Sequence, residues 1–172
     1  TNEEVKTLLN VIDNEKHRIL ISLMLSSGLR VGEAVSIKLE DINFEEKILA
    51  VKSNKWKKDH ITIVSNKILD DIKNYLKNRE DKNSYLFNIR DSHVTIKLAQ
   101  KVIKQAAKKA NLSKRVFCHA LRSTFATNLL NKGVSLRYIQ ALLGHSTPAT
   151  TEINTKVAVD ELKKIKNPFD DL

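Results

Sequence analysis

The sequence predicts a mainly α-helical protein that contains one small, three-stranded antiparallel β-sheet. Apolar residues recur at helical spacing through most of the chain, beginning with Val5, Leu8 and Ile12. Between residues 41 and 64 this spacing stops, and three short runs rich in β-branched residues, joined by polar turns, replace it. A length of 172 residues suits one domain that can bury a core without disulfides or a metal.

Capping residues mark the first two predicted helices. Thr1 and Glu4 have the spacing of a capping box, and Asn14 is suited to cap the second helix. From residue 17 to residue 26 the sequence is almost continuously apolar, which predicts a helix buried on most sides. Gly28 is expected to end this helix.

The predicted sheet follows, and helices fill the rest of the chain. Its three strands are expected at residues 41–44, 48–51 and 60–64. Further helices are expected at residues 66–77, 92–110, 119–131, 135–143, 150–155 and 159–165, with Ser92 as the cap of the second of these. The 92–110 helix carries five lysines. Either they form a solvated face or they contact phosphates, and the sequence leaves both interpretations open.

The charge of the chain indicates a polyanionic partner. Thirty Lys and Arg against twenty Asp and Glu leave a formal net charge of +10, which favours nucleic acid. A Lys-rich solvated surface is the alternative. The acidic residues are scattered, without metal-ligand spacing, so a two-metal nuclease site is not expected. We expect no metal and no cofactor.

Arginine and histidine residues at helix ends form the candidate site. Arg30 follows a glycine turn and opens a helix, where the N-terminus adds a partial positive field, and Glu33 is placed to brace it. His119 and Arg122 are three residues apart and therefore share one helix face. His145 closes a later helix. Guanidinium and imidazole groups in this arrangement suit a phosphate better than a metal ion.

Four stretches of sequence resemble one family. GLRVGE at residues 28–33, HALRSTFATNLL at 119–130, LRYIQALLGHS at 136–146 and TTEI at 150–153 resemble the catalytic domain of the tyrosine recombinases, which include the phage integrases and Xer-like proteins. The family pattern is His-x-x-Arg, then Leu-Gly-His, then a Tyr nine residues after that His. The first two parts are present here, whereas position 154 is Asn.

The resemblance implies the tyrosine recombinase catalytic-domain fold and a role for each matching residue. Arg30, His119, Arg122 and His145 would be catalytic, with Glu33 in support. The hairpin between the second and third strands would supply a lysine general acid. Lys52 is the candidate and Lys55 the alternate, because both glycines of the family motif are missing here. The hairpin lysines that we expect to bind DNA are Lys55, Lys57 and Lys58.

The resemblance also implies a reaction that Asn154 cannot complete. In the family a Tyr hydroxyl attacks the DNA and holds the broken strand as a 3′-phosphotyrosyl link. An amide has no hydroxyl, so this chain is expected to be unable to cleave DNA. One explanation is an engineered Tyr-to-Asn change, which the intact remainder of the site favours. The other is a naturally inactive, non-catalytic helical DNA-binding protein.

The expected partners and organisation follow from the same resemblance. Residues 1–172 are expected to form a single catalytic domain, without the family's N-terminal DNA-clamping domain. The partners would be double-stranded DNA with a specific recombination site and further protomers of the chain, a tetramer in the family. The 159–172 tail would dock either on its own chain or on a neighbour. No membrane is expected, because no apolar stretch approaches ~20 residues, and the location would be cytoplasmic, on the nucleoid.

Overall fold

The structure is a computed structural model, and it describes residues 1–52, 59–112, 116, 118–145 and 156–172, the side chains of the last range from residue 159 onward. Three predictions lie outside the described residues. They are the hairpin lysines Lys55, Lys57 and Lys58, the short helix near residues 150–155, and Asn154.

Helices dominate the described part of the chain. The α-helices are α1 (Asn2–Asn10), α2 (Glu15–Ser27), α3 (Val31–Val35), α4 (Asn66–Lys77), α5 (Ile96–Lys109), α6 (Cys118–Asn131), α7 (Leu136–Leu143) and α8 (Lys156–Lys163). Short 3₁₀ helices lie at Leu39–Asp41 and Pro168–Asp171. The helices α5 and α6 have 14 residues each. Within the described ranges, no helix combines the length and apolar character that crossing a bilayer requires.

A three-stranded antiparallel sheet, in the order β1-β2-β3, interrupts the helices as the sequence predicts. Its strands are β1 (Ile42–Asn43), β2 (Ile48–Val51) and β3 (His60–Ile63). In the register, Ile42 lies opposite Leu49, and Val51 at the end of β2 lies opposite His60 at the start of β3. The predicted fold class, mainly α with a small antiparallel sheet, is therefore confirmed.

A second, two-stranded sheet corrects the prediction that Ser92 caps α5. Strands β4 (Asn88–Ile89) and β5 (Ser92–His93) pair antiparallel, with Ser92 opposite Ile89. The backbone of Ser92 is therefore part of a ladder and does not begin a helix. The cap is Thr95, whose hydroxyl accepts a hydrogen bond from the Leu98 N–H at 3.1 Å.

Helix α2 is the centre of the core. Every residue from 19 to 27 is buried, as its apolar sequence predicts, and α4, α5 and α6 pack around it. A smaller apolar cluster joins β3, α6 and α7 through Ile63, Phe125, Leu129, Ile139 and Leu142. This second cluster brings the end of α7 beside the end of α2. It therefore brings two helix ends of the candidate site together.

The C-terminal tail docks on its own chain. The Asn167 side chain donates to the buried carbonyl of Ser26 at 2.9 Å, and the Ser65 hydroxyl donates to Asp170 at 2.6 Å. The Lys67 ammonium group donates to the carbonyl of Leu172 at 2.8 Å. The sequence left open whether the tail docks on its own chain or on a neighbour, and in the structure it docks on its own chain.

Candidate active site

An open cavity of about 570 Å³ lies between the start of α3, the middle of α5 and the start of α6. Arg30, His119 and Arg122, which come from separate stretches of sequence, all lie on its wall. The described residues that line the cavity are Arg30, Val31, Gln100, Lys104, Val116, Cys118, His119 and Arg122. The chain thus brings three of the predicted site residues to one cavity.

Arg30 is the N-cap residue of α3, and its side chain is exposed. Its backbone N–H donates to the Glu33 carboxylate at 2.8 Å. That same oxygen, Oε1, lies 3.6 Å from the Arg122 guanidinium. Glu33 thus contacts the backbone of Arg30, the residue that it was expected to brace, and the side chain of Arg122.

Arg122 is buried, with 6% of its surface exposed, and it links two helix ends. One guanidinium nitrogen donates to the Gly28 carbonyl at 2.9 Å, and the other donates to the Leu143 carbonyl at 2.8 Å. Burial lowers the pKa of Arg122, as does the charge of Arg30, while Glu33 opposes the shift. The guanidinium remains charged, because arginine stays protonated in proteins, and it keeps further N–H donors for an anion.

Two imidazoles complete the predicted set. His119 is exposed and lies one helical turn before Arg122 on α6. His145 immediately follows Gly144 at the end of α7. Burial lowers the pKa of His145, and the charges of Arg122 and Arg30 lower it further. Because both arginines lower this pKa, His145 lies close enough for their positive charges to act on it. With a lowered pKa, its imidazole is neutral at pH 7.

Two glycines shape the backbone at this site. We call residues 27–30 the Gly28 turn and residues 142–145 the Gly144 turn. Gly28 has φ +69° and Gly144 has φ +75°, in the left-handed region that favours glycine. A Cβ on Gly28 would overlap the Phe125 ring and would lie 2.9 Å from Leu143. Both turns are therefore too closely packed for a side chain, as well as left-handed.

The lysine predictions fall outside this cavity or outside the described residues. Lys52 follows β2, and its exposed ammonium group lies 4.0 Å from Asp59 across the base of the hairpin. It is not part of the cavity lining. Lys55, the alternate general acid, is not described. The choice between the two lysines therefore stays open.

Three residues near the cavity were not singled out from the sequence. Gln100 and Lys104 lie on its wall from α5, so one of the five lysines of that helix faces the site. His60, the first residue of β3, lies against Gly144 and within the fields of Arg122, Glu33 and Arg30. Helical spacing from Gln100 to Lys104 could have indicated the first pair. Nothing in the strand pattern marked His60.

The chemistry of this cavity suits an anion. Arg30, Lys104 and Arg122 contribute positive charge to one wall, and His119 adds an imidazole that can hydrogen-bond an oxygen of a phosphate. In the described ranges, no group of three His, Cys, Asp or Glu residues is placed to hold a metal ion. A phosphate group, held by charge-assisted hydrogen bonds, matches both the charges and the donors.

Comparison with known proteins gives a family for the chain. Residues 1–161 match the model of the phage integrase family. A tyrosine recombinase XerA from Pyrococcus horikoshii is 39% identical over 168 residues, which cover 95% of this chain and 58% of that protein. The chain therefore spans about three fifths of the length of this relative.

Solved structures share the fold. The crystal structure of a XerA recombinase superposes with a TM-score of 0.78 at 32% identity, over 94% of this chain and 62% of that one. A XerH site-specific recombinase bound to its difH substrate, before cleavage, gives a TM-score of 0.72 at 26% identity, over 94% and 51%. The fold implied by the sequence resemblance is thereby confirmed.

Proposed function

Because this chain belongs to the phage integrase family, we propose that it is the catalytic domain of a site-specific DNA recombinase that acts on double-stranded DNA. The convergence of Arg30, His119 and Arg122 on one cavity is the observation that carries this proposal. Phosphoryl transfer requires mainly positioning and charge stabilisation, and a wall of guanidinium and imidazole groups supplies both without a metal.

The arginines would stabilise the charge that develops on the phosphate. Arg30 is exposed to the cavity and can approach the non-bridging oxygens with a bidentate fork. Arg122 already holds two backbone carbonyls, so its position is fixed before DNA arrives. Glu33 lies close to Arg122 and accepts a hydrogen bond from the backbone of Arg30. It would therefore hold the two arginines in a fixed position relative to each other.

Proton transfer would involve the histidines and a hairpin lysine. His119 and His145 would hydrogen-bond the phosphate or transfer protons near neutral pH. A lysine would protonate the 5′ oxygen that leaves when the P–O bond of the strand breaks. We assign this step to Lys52, with Lys55 as the alternate. The remaining hairpin lysines, Lys57 and Lys58, would contact backbone phosphates.

Asn154 determines what this form of the domain can do. In the reaction proposed for the family site, an attacking hydroxyl forms a new bond to phosphorus as the 5′ oxygen leaves. The Asn154 amide has no hydroxyl, so the chain would bind DNA without forming the covalent link. A natural, non-catalytic DNA-binding protein is the alternative function, and the asparagine itself is the observation that favours it.

The proposed partners are DNA and further copies of the chain. The related XerH structure is a complex with its DNA substrate, and the net charge of +10 here suits a phosphate backbone. Binding should weaken steeply as salt rises, because counterions are released from the DNA. We expect the domain, residues 1–172, to be monomeric without DNA, to assemble with other protomers on it, and to act in the cytoplasm, on the nucleoid.

The test is a covalent-capture assay with Asn154→Tyr. Duplexes that the chain binds are first selected from a random-sequence library, and nicked versions then serve as suicide substrates. We expect the Tyr variant to form a protein–DNA adduct that survives a denaturing gel, because the phenol restores the nucleophile. The matched control is Asn154→Phe, which has the same ring without the hydroxyl.

The controls separate the two functions. The unchanged chain and Asn154→Phe should give no adduct. An adduct in either would identify another nucleophile, with Tyr138 the first to examine, and our assignment of position 154 would be wrong. Tight binding to the selected duplexes with no adduct from Asn154→Tyr would favour the non-catalytic DNA-binding function.

A further inference from the structure

His60 occupies a position that connects the hairpin with the candidate site. It is the first residue of β3 and lies opposite Val51, the residue before Lys52. Two residues further along the same strand, and therefore on the same face, the Thr62 hydroxyl donates to the Ser27 carbonyl in the Gly28 turn at 2.8 Å. This face of β3 thus contacts the segment that leads to Arg30.

The imidazole of His60 packs directly on the Gly144 turn. A Cβ on Gly144 would lie 2.6 Å from His60 Nδ1 and 2.9 Å from Nε2, closer than carbon and nitrogen can approach. The ring therefore fills the space that any side chain at position 144 would need. The Leu142 carbonyl raises the pKa of this imidazole, as a carbonyl that accepts a hydrogen bond from the ring does.

This hydrogen bond completes the C-terminal end of α7. A helix leaves its last four carbonyls without intrahelical partners. The Gly144 N–H donates to Ala141 at 3.1 Å and the His145 N–H donates to Gln140 at 3.0 Å, which is the Schellman arrangement. Arg122 donates a hydrogen bond to the Leu143 carbonyl. The fourth of these carbonyls belongs to Leu142, the one that acts on the pKa of His60.

The charge state of His60 fits this role. Burial lowers the pKa of the imidazole, the charges of Arg122 and Arg30 lower it further, and Glu33 acts in the opposite direction. At neutral pH the ring is therefore neutral, and it can donate through one nitrogen. Protonation would place an additional positive charge beside two arginines that are already close together.

We propose that His60 is a positioning residue of the candidate active site, which fixes the Gly144 turn and thereby His145 relative to Arg122. The same side chain ties the base of the β2–β3 hairpin, and so the position of Lys52, to that turn. Its contribution to catalysis rests on the proposed recombinase function. Its effect on the turn does not, and the two can be measured separately.

The first measurement is amide hydrogen exchange on the unchanged chain and on His60→Phe, which keeps an aromatic ring without the donor. We expect the Gly144 and His145 amides to exchange roughly tenfold faster in the variant, because one hydrogen bond of the turn is lost. His60→Gln, which keeps a donor, should recover part of the protection. If His60→Phe does not fold, His60→Gln alone should still show faster exchange confined to the Gly144 turn.

A matched control comes from another half-buried histidine. His93 also bonds a backbone carbonyl, with 2.7 Å between its Nδ1 and the Val94 oxygen, on β5 and outside the cavity lining. His93→Phe should leave exchange at Gly144 and His145 unchanged. The proposal is overturned if His93→Phe has the same effect there, or if His60→Phe and His60→Gln accelerate exchange equally across α1, α4 and the Gly144 turn.

The second measurement separates the proposal from the proposed function. In the Asn154→Tyr background, His60→Phe should slow adduct formation roughly tenfold or more, since small displacements of catalytic groups are costly, while DNA affinity changes less than about twofold. Equal loss of affinity and rate would contradict a positioning role. If the parent Asn154→Tyr protein forms no adduct but the exchange result holds, the recombinase proposal fails and the positioning of the Gly144 turn stands.

Discussion

The Gly28 and Gly144 turns are built on the same plan and packed by different chemistry. Each ends a helix at a glycine with positive φ, and in each the carbonyl of the glycine or of the residue before it accepts a hydrogen bond from Arg122. Each is also followed within two residues by a predicted site residue. The Gly28 turn is packed by hydrocarbon, from Phe125 and Leu143. The Gly144 turn is packed by the ionisable ring of His60.

This difference separates two ways to hold a functional residue. Hydrocarbon packing around Gly28 does not depend on pH and fixes the buried residues Gly28 and Leu29, which lead into α3. The imidazole at the Gly144 turn supplies a hydrogen bond as well as volume, so its contribution depends on its protonation state. We infer that the Arg30 side of the site is the more rigid and the His145 side the more responsive to conditions.

Gly28→Ala should cause the largest loss of stability. Alanine at a positive φ costs about 1 kcal/mol, and a Cβ that overlaps the Phe125 ring adds overpacking of about 1–3 kcal/mol in a region with no space to relax. Urea unfolding should show a decrease of about 3 kcal/mol or more. The matched control is Gly133→Ala, at φ +83° with nothing within 4 Å, which should cost only about 1 kcal/mol. Equal losses would contradict the role of packing.

Gly144→Ala should have an intermediate effect that depends on His60. The strain at positive φ resembles that at Gly28, but the obstacle is a side chain at the sheet edge that can move, so we expect about 2 kcal/mol. In a His60→Ala background the same substitution should cost about 1 kcal/mol, which leaves the strain alone. A double-mutant cycle measures this difference. Additive effects of the two substitutions would show that the ring does not pack on Gly144.

Thr62→Val tests the hydrogen bond that connects β3 to the Gly28 turn. The side chains have the same shape, and only the donor to the buried Ser27 carbonyl is removed. We expect a loss of about 1–2 kcal/mol in the free energy of unfolding. In amide exchange the effect should appear near residues 27–30, and the Gly144 turn should remain as protected as in the unchanged chain. Faster exchange at both turns would mean that they are not independent.

The dependence of stability on pH should be the smallest effect, and part of it should come from the Gly144 turn. Burial lowers the pKa of His60 and of His145, so below about pH 6.5 the unfolded chain binds more protons than the folded one. Stability is therefore complete above that pH and decreases as the pH falls through the lowered folded values. Urea midpoints between pH 7.5 and 5.5 should show this slope.

The matched variant for that measurement is His60→Phe, which removes one of the two ionisable rings at the turn. Its slope should be shallower than that of the unchanged chain. The charged groups that act on His60, which are Glu33, Arg30 and Arg122, are present in both proteins, so the comparison isolates the ring. Identical slopes in the two proteins would show that His60 does not titrate with folding.

The sequence predicted most of the fold because the relevant signals are local. Helical spacing, the capping residues Thr1 and Asn14, and the β-leaning runs around residues 42–63 indicated elements that the structure contains. The errors also have a local origin. Ser92 is a good capping residue, but a positive φ at Arg90 turns the chain into a hairpin, and pairing with Ile89 uses the backbone of Ser92.

The candidate site was predictable only where chain spacing brings groups together. His119 and Arg122 share a helix face, and motif resemblance connected them with Arg30 and His145. The partners that tertiary packing supplies were not predictable. His60 is 84 positions from Gly144 in the sequence and meets it only because α7 packs on β3. In the same way, the contact between the Glu33 carboxylate and the Arg122 guanidinium forms only because the fold places α6 beside α3.

The two hydrogen bonds of Arg122 also have a kinetic meaning. They join a carbonyl 94 positions earlier in the chain with another that lies 21 positions later. Contacts over such sequence distances form slowly, because the loop between them must close before they contribute any stability. As the chain emerges from the ribosome, the hydrogen bond to the Gly28 carbonyl cannot form until α6, which carries Arg122, has been made. The second hydrogen bond of Arg122 cannot form until α7 has been made. The phosphate-binding arrangement would therefore be among the last parts of the domain to form, so an incompletely folded chain would carry positive charge without a working site.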